Sequence, residues 1–238
     1  MAVHCETPTG ILNPIEAIAA VCKRRGKGLL SDAVASFGAF ALDAKRLAFD
    51  AVVCSANKGL QAPPGLAFVI AKRAALEASK GHARSLTMDL RDRHRHMERT
   101  GMFRFTPPTH LPLAMGEALR EHREEGGIEA RQARFRRSWK RLVDGMRQMR
   151  FRTLLEDSVA SPIVATFHDP EDPNDAPRKL HDGMRRRGFG IFPGRLAAAN
   201  TFRIACIGIV TEAEIGRALD ALAERMQEMG VSGMGRAA

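Results

Sequence analysis

The stretch GLLSD at residues 28–32 and the stretch DAVVCS at residues 50–55 decide the fold. Each is a short apolar run of the kind that forms a buried strand. The segment before them, Pro14 to Arg25, carries apolar residues every three or four positions, which is typical of an amphipathic helix. Helices that alternate with short apolar strands predict an α/β architecture with a mainly parallel sheet.

The rest of the chain divides into two regions. A third strand is predicted at residues 66–70, and residues 111–149 read as helical in two pieces parted by Gly126 and Gly127. After Phe151 a smaller α/β unit is predicted, with strands near 162–167, 189–192 and 201–206 and helices at 178–187 and 211–229. We therefore predict a large domain with its connecting helix over residues 1–150, and a small C-terminal domain over residues 151–238.

The bulk composition is that of a folded globular protein. The chain has 238 residues, 45% hydrophobic and 27% charged, which excludes a collagenous, disulfide-scaffold or disordered chain. The net charge of +10 predicts attraction to anions without saying which. The four cysteines stand far apart and no secretory signal is present, so we expect reduced thiols and a cytoplasmic location. No apolar stretch is long enough to span a bilayer, and no membrane partner is expected.

Polar side chains follow the predicted strands where each strand ends. They are Asp32, the pair Asn57 and Lys58, and the run HCETPTG at residues 4–10. Open α/β sheets bind their ligands at this edge. A carboxylate and a lysine on neighbouring strand ends can reach opposite ends of one planar ring of pyridoxal-phosphate size, the carboxylate at the ring nitrogen and the lysine at the aldehyde.

Five motifs in chain order carry a resemblance to a known family. They are HCETPTG (4–10), DAVASFG (32–38), SANK (55–58), RFTPPTH (104–110) and TFRIACIG (201–208). Together they resemble successive signatures of the 2-aminoethylphosphonate:pyruvate transaminases, which are class V, fold-type I aminotransferases. The wider group includes alanine:glyoxylate and serine:pyruvate enzymes. The resemblance implies a fold-type I pyridoxal-phosphate-dependent transferase, here a partial large domain plus a small C-terminal α/β domain.

The resemblance also implies catalytic roles and a reaction. Lys58 would be the Schiff-base lysine and would move the proton as general base and acid, while Asp32 would pair with the pyridinium nitrogen of pyridoxal 5'-phosphate. Arg203 would bind the carboxylate or phosphonate of the substrate. The expected reaction, a step of phosphonate degradation, moves an amino group from 2-aminoethylphosphonate to pyruvate and gives phosphonoacetaldehyde and L-alanine.

Three further residues would hold the cofactor. Thr7 would bond it from the strand-end loop, Asn57 would reach its phosphate, and Thr106 would contact the phosphate of the partner subunit's cofactor, which implies a homodimer. For these three residues a local turn or cap hydrogen bond is about equally good as an explanation. Chains of the family begin well before the HCETPTG motif, so we expect an N-terminal part to be missing or separately encoded. That part would supply the phosphate turn and the stacking ring.

Several other functions stay open on the sequence. The nearest is a class V aminotransferase acting on alanine, serine or glyoxylate. Another is a catalytically silent fragment that serves only as a dimerisation or binding partner. Nucleic-acid binding is the weakest, because the basic runs at residues 81–99 and 131–152 are more simply solvated helix faces. The histidines lack the spacing of a zinc site, and no metal is expected.

Overall fold

The structure is a computed structural model that describes residues 1–172, 174, 176–196 and 199–231. In these ranges the strands are β1 (Ala2–Val3), β2 (Cys5–Glu6), β3 (Ile11–Leu12), β4 (Leu30–Asp32), β5 (Ala51–Ser55), β6 (Ala67–Ala71), β7 (Val164–His168), β8 (Phe192–Leu196) and β9 (Ala199–Ala205). The helices are α1 (Ile15–Arg24), α2 (Ala44–Leu47), α3 (Arg73–Ala78), α4 (Leu90–Thr100), α5 (His110–Glu124), α6 (Gly127–Gln148), α7 (Pro177–Arg186) and α8 (Glu212–Glu228).

The chain forms two compact units. The first unit comprises residues 1–4 and 14–124, and the second comprises residues 5–13 and 125–238. The second unit thus includes helix α6, which the sequence analysis placed with the large domain. The division into domains at residues 1–150 and 151–238 stays a prediction.

The first unit is built on a four-stranded sheet in the order β1-β4-β5-β6. Strands β1, β4 and β5 are parallel, as predicted for most of the sheet, and β6 runs antiparallel to β5. The short connection between β5 and β6 explains the reversal, because a parallel partner needs a long crossover. Side chains from α1, α2, the sheet and the loops around it bury a core: Ile15, Ala19, Leu29, Ala33, Leu47, Phe49, Val52 and Cys54.

The second unit packs helices against a three-stranded antiparallel sheet in the order β7-β9-β8. Its core includes Leu142 and Met146 of α6, Phe167 of β7 and Leu222 and Met226 of α8. The strand predicted at residues 189–192 is wrong in position, because β8 occupies Phe192–Leu196. The apolar residues just before β8 that suggested it instead pack into this core, where Ile191 is buried and Phe189 partly buried.

The predicted helices are confirmed closely. Helices α5 and α6 are parted at Gly126, whose φ of +107° lies in the left-handed region. Helix α8 begins after Thr211, whose side chain accepts the Glu214 backbone N–H while the Glu214 carboxylate accepts the Thr211 backbone N–H. In the described ranges, no helix combines the length and the apolar composition needed to cross a membrane.

Candidate functional site

The candidate carboxylate and the candidate amine follow neighbouring strands of the first unit. Asp32 is the last residue of β4 and pairs in register with Val53 of β5, and Lys58 follows the end of β5 in a turn. Because β4 and β5 are parallel, their carboxyl ends lie at one edge of the sheet. The structure therefore brings Asp32 and the Asn57–Lys58 pair to the same edge, as the sequence predicted.

The Asp32 carboxylate is oriented by the loop that follows it. One carboxylate oxygen, Oδ1, accepts a hydrogen bond from the Val34 backbone N–H at 2.9 Å. The Ser55 hydroxyl at the end of β5 donates to the Val34 carbonyl oxygen at 3.0 Å, which ties the same loop to the neighbouring strand. Asp32 is half-buried, so part of its surface is open to a ligand.

The turn that carries Lys58 touches the loop that follows Asp32. A side chain at Gly59 would overlap the Phe37 carbonyl oxygen, and a Cβ on Gly38 would lie 2.6 Å from Cδ2 of Leu60. Gly38 also has a φ of +80°, which favours glycine. Two glycines thus allow the loop and the turn to approach each other closely. Lys58 itself is half-buried, and Asn57 is exposed.

Two buried titratable groups at this edge are uncharged at neutral pH. Burial lowers the pKa of His4 to about 4, so the imidazole is neutral. Burial raises the pKa of the Cys54 thiol to about 12, and the negative charge of Asp32 adds to this shift. Cys54 is therefore a protonated thiol in the core and has no nucleophilic role.

The second unit holds the candidate substrate-binding arginine and one candidate cofactor ligand. Arg203 lies on β9, and its Nη1 donates to the Thr7 backbone carbonyl at 2.8 Å. The Arg203 Nε is buried and has no hydrogen-bond partner among the described residues. Thr7 is exposed in the turn between β2 and β3, so its hydroxyl is accessible.

The remaining predicted site residue, Thr106, is exposed in the segment between α4 and α5 of the first unit. Close to it, Arg104 forms an ion pair with Asp92 and stacks on the Phe105 ring at 5.3 Å from the ring centroid. These contacts keep the segment attached to α4 and leave the Thr106 side chain available. Across the part of the chain that the structure describes, no group of three or more metal-ligating side chains is found.

The match to a family model defines the class of the protein. The model described as "Aminotransferase class-V" matches residues 1–182, so the chain belongs to the class V aminotransferase family. Its α/β fold is that of the fold-type I pyridoxal-phosphate-dependent enzymes. The solved pyridoxamine-pyruvate aminotransferase of Mesorhizobium loti superposes with a TM-score of 0.87 at 29% identity, over 96% of this chain and 60% of that one.

Curated relatives point to one branch of the family. A protein of Pseudomonas aeruginosa named 2-aminoethylphosphonate–pyruvate transaminase is 46% identical over 229 residues, which is 96% of this chain and 62% of that protein. A protein of Polaromonas sp. named 2-aminoethylphosphonate–pyruvate transaminase 2 is 43% identical over 230 residues, covering 97% of this chain and 62% of its own length. The chain thus spans about 62% of the length of these relatives.

Proposed function

We propose that this chain carries out pyridoxal-phosphate-dependent transfer of an amino group from 2-aminoethylphosphonate to pyruvate, giving phosphonoacetaldehyde and L-alanine. The observation that carries the proposal is the identity of 43–46% to transaminases of that name over almost the whole chain. The arrangement of Asp32 and Lys58 at one sheet edge supports it, since a carboxylate and a primary amine are the two groups that this chemistry requires.

The residues of the first unit fit the cofactor. When bound, pyridoxal phosphate supplies an electron sink for the carbon that carries the transferred nitrogen. The half-buried Asp32 carboxylate, whose direction is set by the hydrogen bond from the Val34 N–H, would hold a proton on the pyridine nitrogen. The Lys58 amine would move the proton between the substrate carbon and the aldehyde-derived carbon of the cofactor, first as general base and then as general acid. Asn57 would reach the cofactor phosphate, Thr7 of the second unit would bond the cofactor, and Thr106 would contact the phosphate of the partner subunit's cofactor.

Arg203 binds the anionic end of the substrate. Its Nη1 is held by the Thr7 carbonyl, which sets the plane of the guanidinium, and its Nε has no partner among the described residues. A guanidinium pairs with planar or tetrahedral anions through two parallel hydrogen bonds. Arg203 therefore serves both the phosphonate of the amino donor and the carboxylate of pyruvate.

We infer a homodimer from an exposed apolar surface on the first unit. Large apolar side chains in the segment around Thr106 are open to solvent, from 38% to 76% by residue: Leu86, Met88, Leu90, Met97, Met102, Phe103, Phe105 and Leu113. These eight side chains all fall within residues 86–113, and exposed apolar surface marks interaction sites when it is gathered in one region. A second copy of the chain that covers it would bring Thr106 to the partner's cofactor phosphate. We place the protein in the cytoplasm.

A donor comparison tests the proposal. The purified chain is loaded with pyridoxal phosphate and given 2-aminoethylphosphonate, serine or alanine, with pyruvate or glyoxylate as acceptor. We expect transfer from 2-aminoethylphosphonate to pyruvate to be the fastest, to be lost in Lys58→Ala, and to be unchanged in the control Lys27→Ala, which removes an exposed lysine. Faster transfer from serine or alanine would assign the chain to another branch of the family, and no transfer from any donor would contradict the proposal.

A further inference from the structure

Two buried histidines of the first unit contact the loop that separates Asp32 from the Lys58 turn. This loop, residues 33–40, is called here the spacer loop. We propose that His4 and His122 are positioning residues that clasp the spacer loop against the Lys58 turn and so fix the separation of the Asp32 carboxylate and the Lys58 amine. The role in catalysis rests on the proposed function, but the clasp itself belongs to the chain without cofactor.

The spacer loop starts on the sheet and is compact. The Ala33 backbone N–H donates to the Val53 carbonyl at 2.9 Å, and the Ser36 and Phe37 N–H groups donate back to the Ala33 carbonyl at 3.1 and 2.9 Å. Further along, the Ala39 N–H donates to the Ser36 carbonyl at 3.0 Å. Its far part is the part that touches the Lys58 turn, through Gly38 and Leu60. Any shift of the loop would therefore change how Asp32 and Lys58 lie relative to each other.

His4 holds the loop from the side of β1. The His4 backbone N–H donates to the Asp32 carbonyl at 2.8 Å, and the His4 Nδ1 lies 3.0 Å from the Ser36 hydroxyl. The ring also meets the edge of Phe40, with 5.9 Å between ring centroids. His4 is 5% exposed and Ser36 is fully buried. His4 thus contacts both the backbone of Asp32 and the middle of the spacer loop.

His122 holds the loop from the side of α5. Its Nε2 lies 2.8 Å from the Gly38 carbonyl oxygen, and the residue is 8% exposed. Gly38 is the residue that packs on Leu60, next to Gly59 in the Lys58 turn. The hydrogen bond from His122 therefore acts at the point where the loop and the turn meet.

Packing alone does not explain these two side chains. A buried imidazole loses solvation that an apolar ring of similar size would not lose, and this cost is offset only where its nitrogens find partners. In both cases the partner is the spacer loop and not another helix or strand. Buried polar groups of this kind specify one arrangement of the backbone more than they add stability.

Amide hydrogen exchange on the chain without cofactor tests the clasp. His122→Phe and His4→Phe keep a ring and remove the polar contact, whereas His122→Gln and His4→Asn place an amide nitrogen near the lost Nε2 and Nδ1. We expect exchange at the backbone amides of Ser36, Phe37 and Ala39 to become about tenfold faster in the Phe variants, the size of one net hydrogen bond, with the β5 amides unchanged. The Gln and Asn variants should restore most of the protection of these spacer-loop amides against exchange.

A second readout connects the clasp to the proposed site. Reductive labelling of Lys58 by pyridoxal phosphate should need about tenfold more cofactor in the Phe variants than in the wild-type chain, again the loss of about one hydrogen bond. The inference would be overturned if two quantities stayed within twofold of wild type in both Phe variants: the amide exchange rates of the spacer loop and the cofactor concentration needed to label Lys58. So would acceleration spread evenly over all protected amides, because that is the signature of general destabilisation. Absence of labelling in the wild-type chain would contradict the proposed function and leave the exchange result standing.

Discussion

The two units hold their candidate functional groups in different ways. In the first unit, Asp32 and Lys58 sit on backbone segments that touch each other and are tied by buried polar contacts from His4, Ser55 and His122. In the second unit, Arg203 is held by one hydrogen bond to the Thr7 carbonyl and keeps an unpartnered Nε within the described part of the chain. The first arrangement suits groups that must keep a fixed separation, and the second suits a group that must accept an anion.

After the loss of Lys58 itself, the largest effect should come from removing the charge of Asp32. Asp32→Asn keeps the size of the side chain but loses the carboxylate that we propose holds a proton on the cofactor ring. We expect turnover to fall by about 100- to 1000-fold, the usual range for a group that stabilises charge in the transition state. The exposed Asp220→Asn is the matched control and should leave turnover unchanged. A loss below about tenfold in Asp32→Asn would place the catalytic charge elsewhere.

Acid should destabilise the first unit through His4. Its pKa is about 4 in the folded chain and 6.5 when exposed, so between these values the unfolded chain binds a proton that the folded chain does not. The free energy of unfolding should therefore fall as the pH drops from about 6.5 to 4, by up to about 3 kcal/mol. The same titration of His4→Asn isolates this contribution. Parallel curves for the two proteins would show that His4 is not buried as described.

Glycine substitutions test the contact between the spacer loop and the Lys58 turn. Gly59→Ala places a methyl group against the Phe37 carbonyl and should destabilise the chain by about 1–3 kcal/mol, as overpacking does. Gly116→Ala, on α5 with open space around it, should stabilise the helix by about 0.5–1 kcal/mol. Urea unfolding of both variants measures the difference. Equal free energies of unfolding for Gly59→Ala and Gly116→Ala would mean that the spacer loop and the Lys58 turn are not in contact.

The smallest effect on activity should come from changing Arg203 in the second unit. Arg203→Lys keeps the positive charge but loses the forked donors, so we expect KM for the anionic substrates to rise by about tenfold with kcat little changed. The exposed Arg186→Lys on α7 is the control. A fall in kcat with unchanged KM would mean that Arg203 acts in the chemical step and not in binding.

Much of the fold was predictable because the strands and helices are locally encoded. The apolar runs that form β4 and β5, the Gly126–Gly127 break between α5 and α6, and the Thr211–Glu214 capping box are all local signals. The direction of β6 and the pairing of Cys5–Asn13 with the second unit depend on contacts between distant residues, which no local pattern reports.

The candidate site, like the fold, could be predicted only where a local sequence pattern marks its residues. The location of Asp32, Asn57 and Lys58 at one sheet edge could be predicted because strand ends are readable in the sequence, and their roles stay predictions. His122 was missed, since it lies 84 positions from its partner Gly38, and His4 was noted only as part of the HCETPTG run. The glycines at positions 38 and 59 were the available signal, because a glycine directly beside a candidate site residue often marks a close backbone approach.

The most direct test of the account is to titrate the purified chain with pyridoxal phosphate, reduce it with borohydride and locate the modified lysine by peptide mass mapping. The account predicts saturable binding with stoichiometric label on Lys58, lost in Lys58→Ala and kept in Lys27→Ala. No saturable binding, or label scattered over surface lysines, would contradict the claim that the Asp32 and Lys58 strand ends of this chain form a cofactor site.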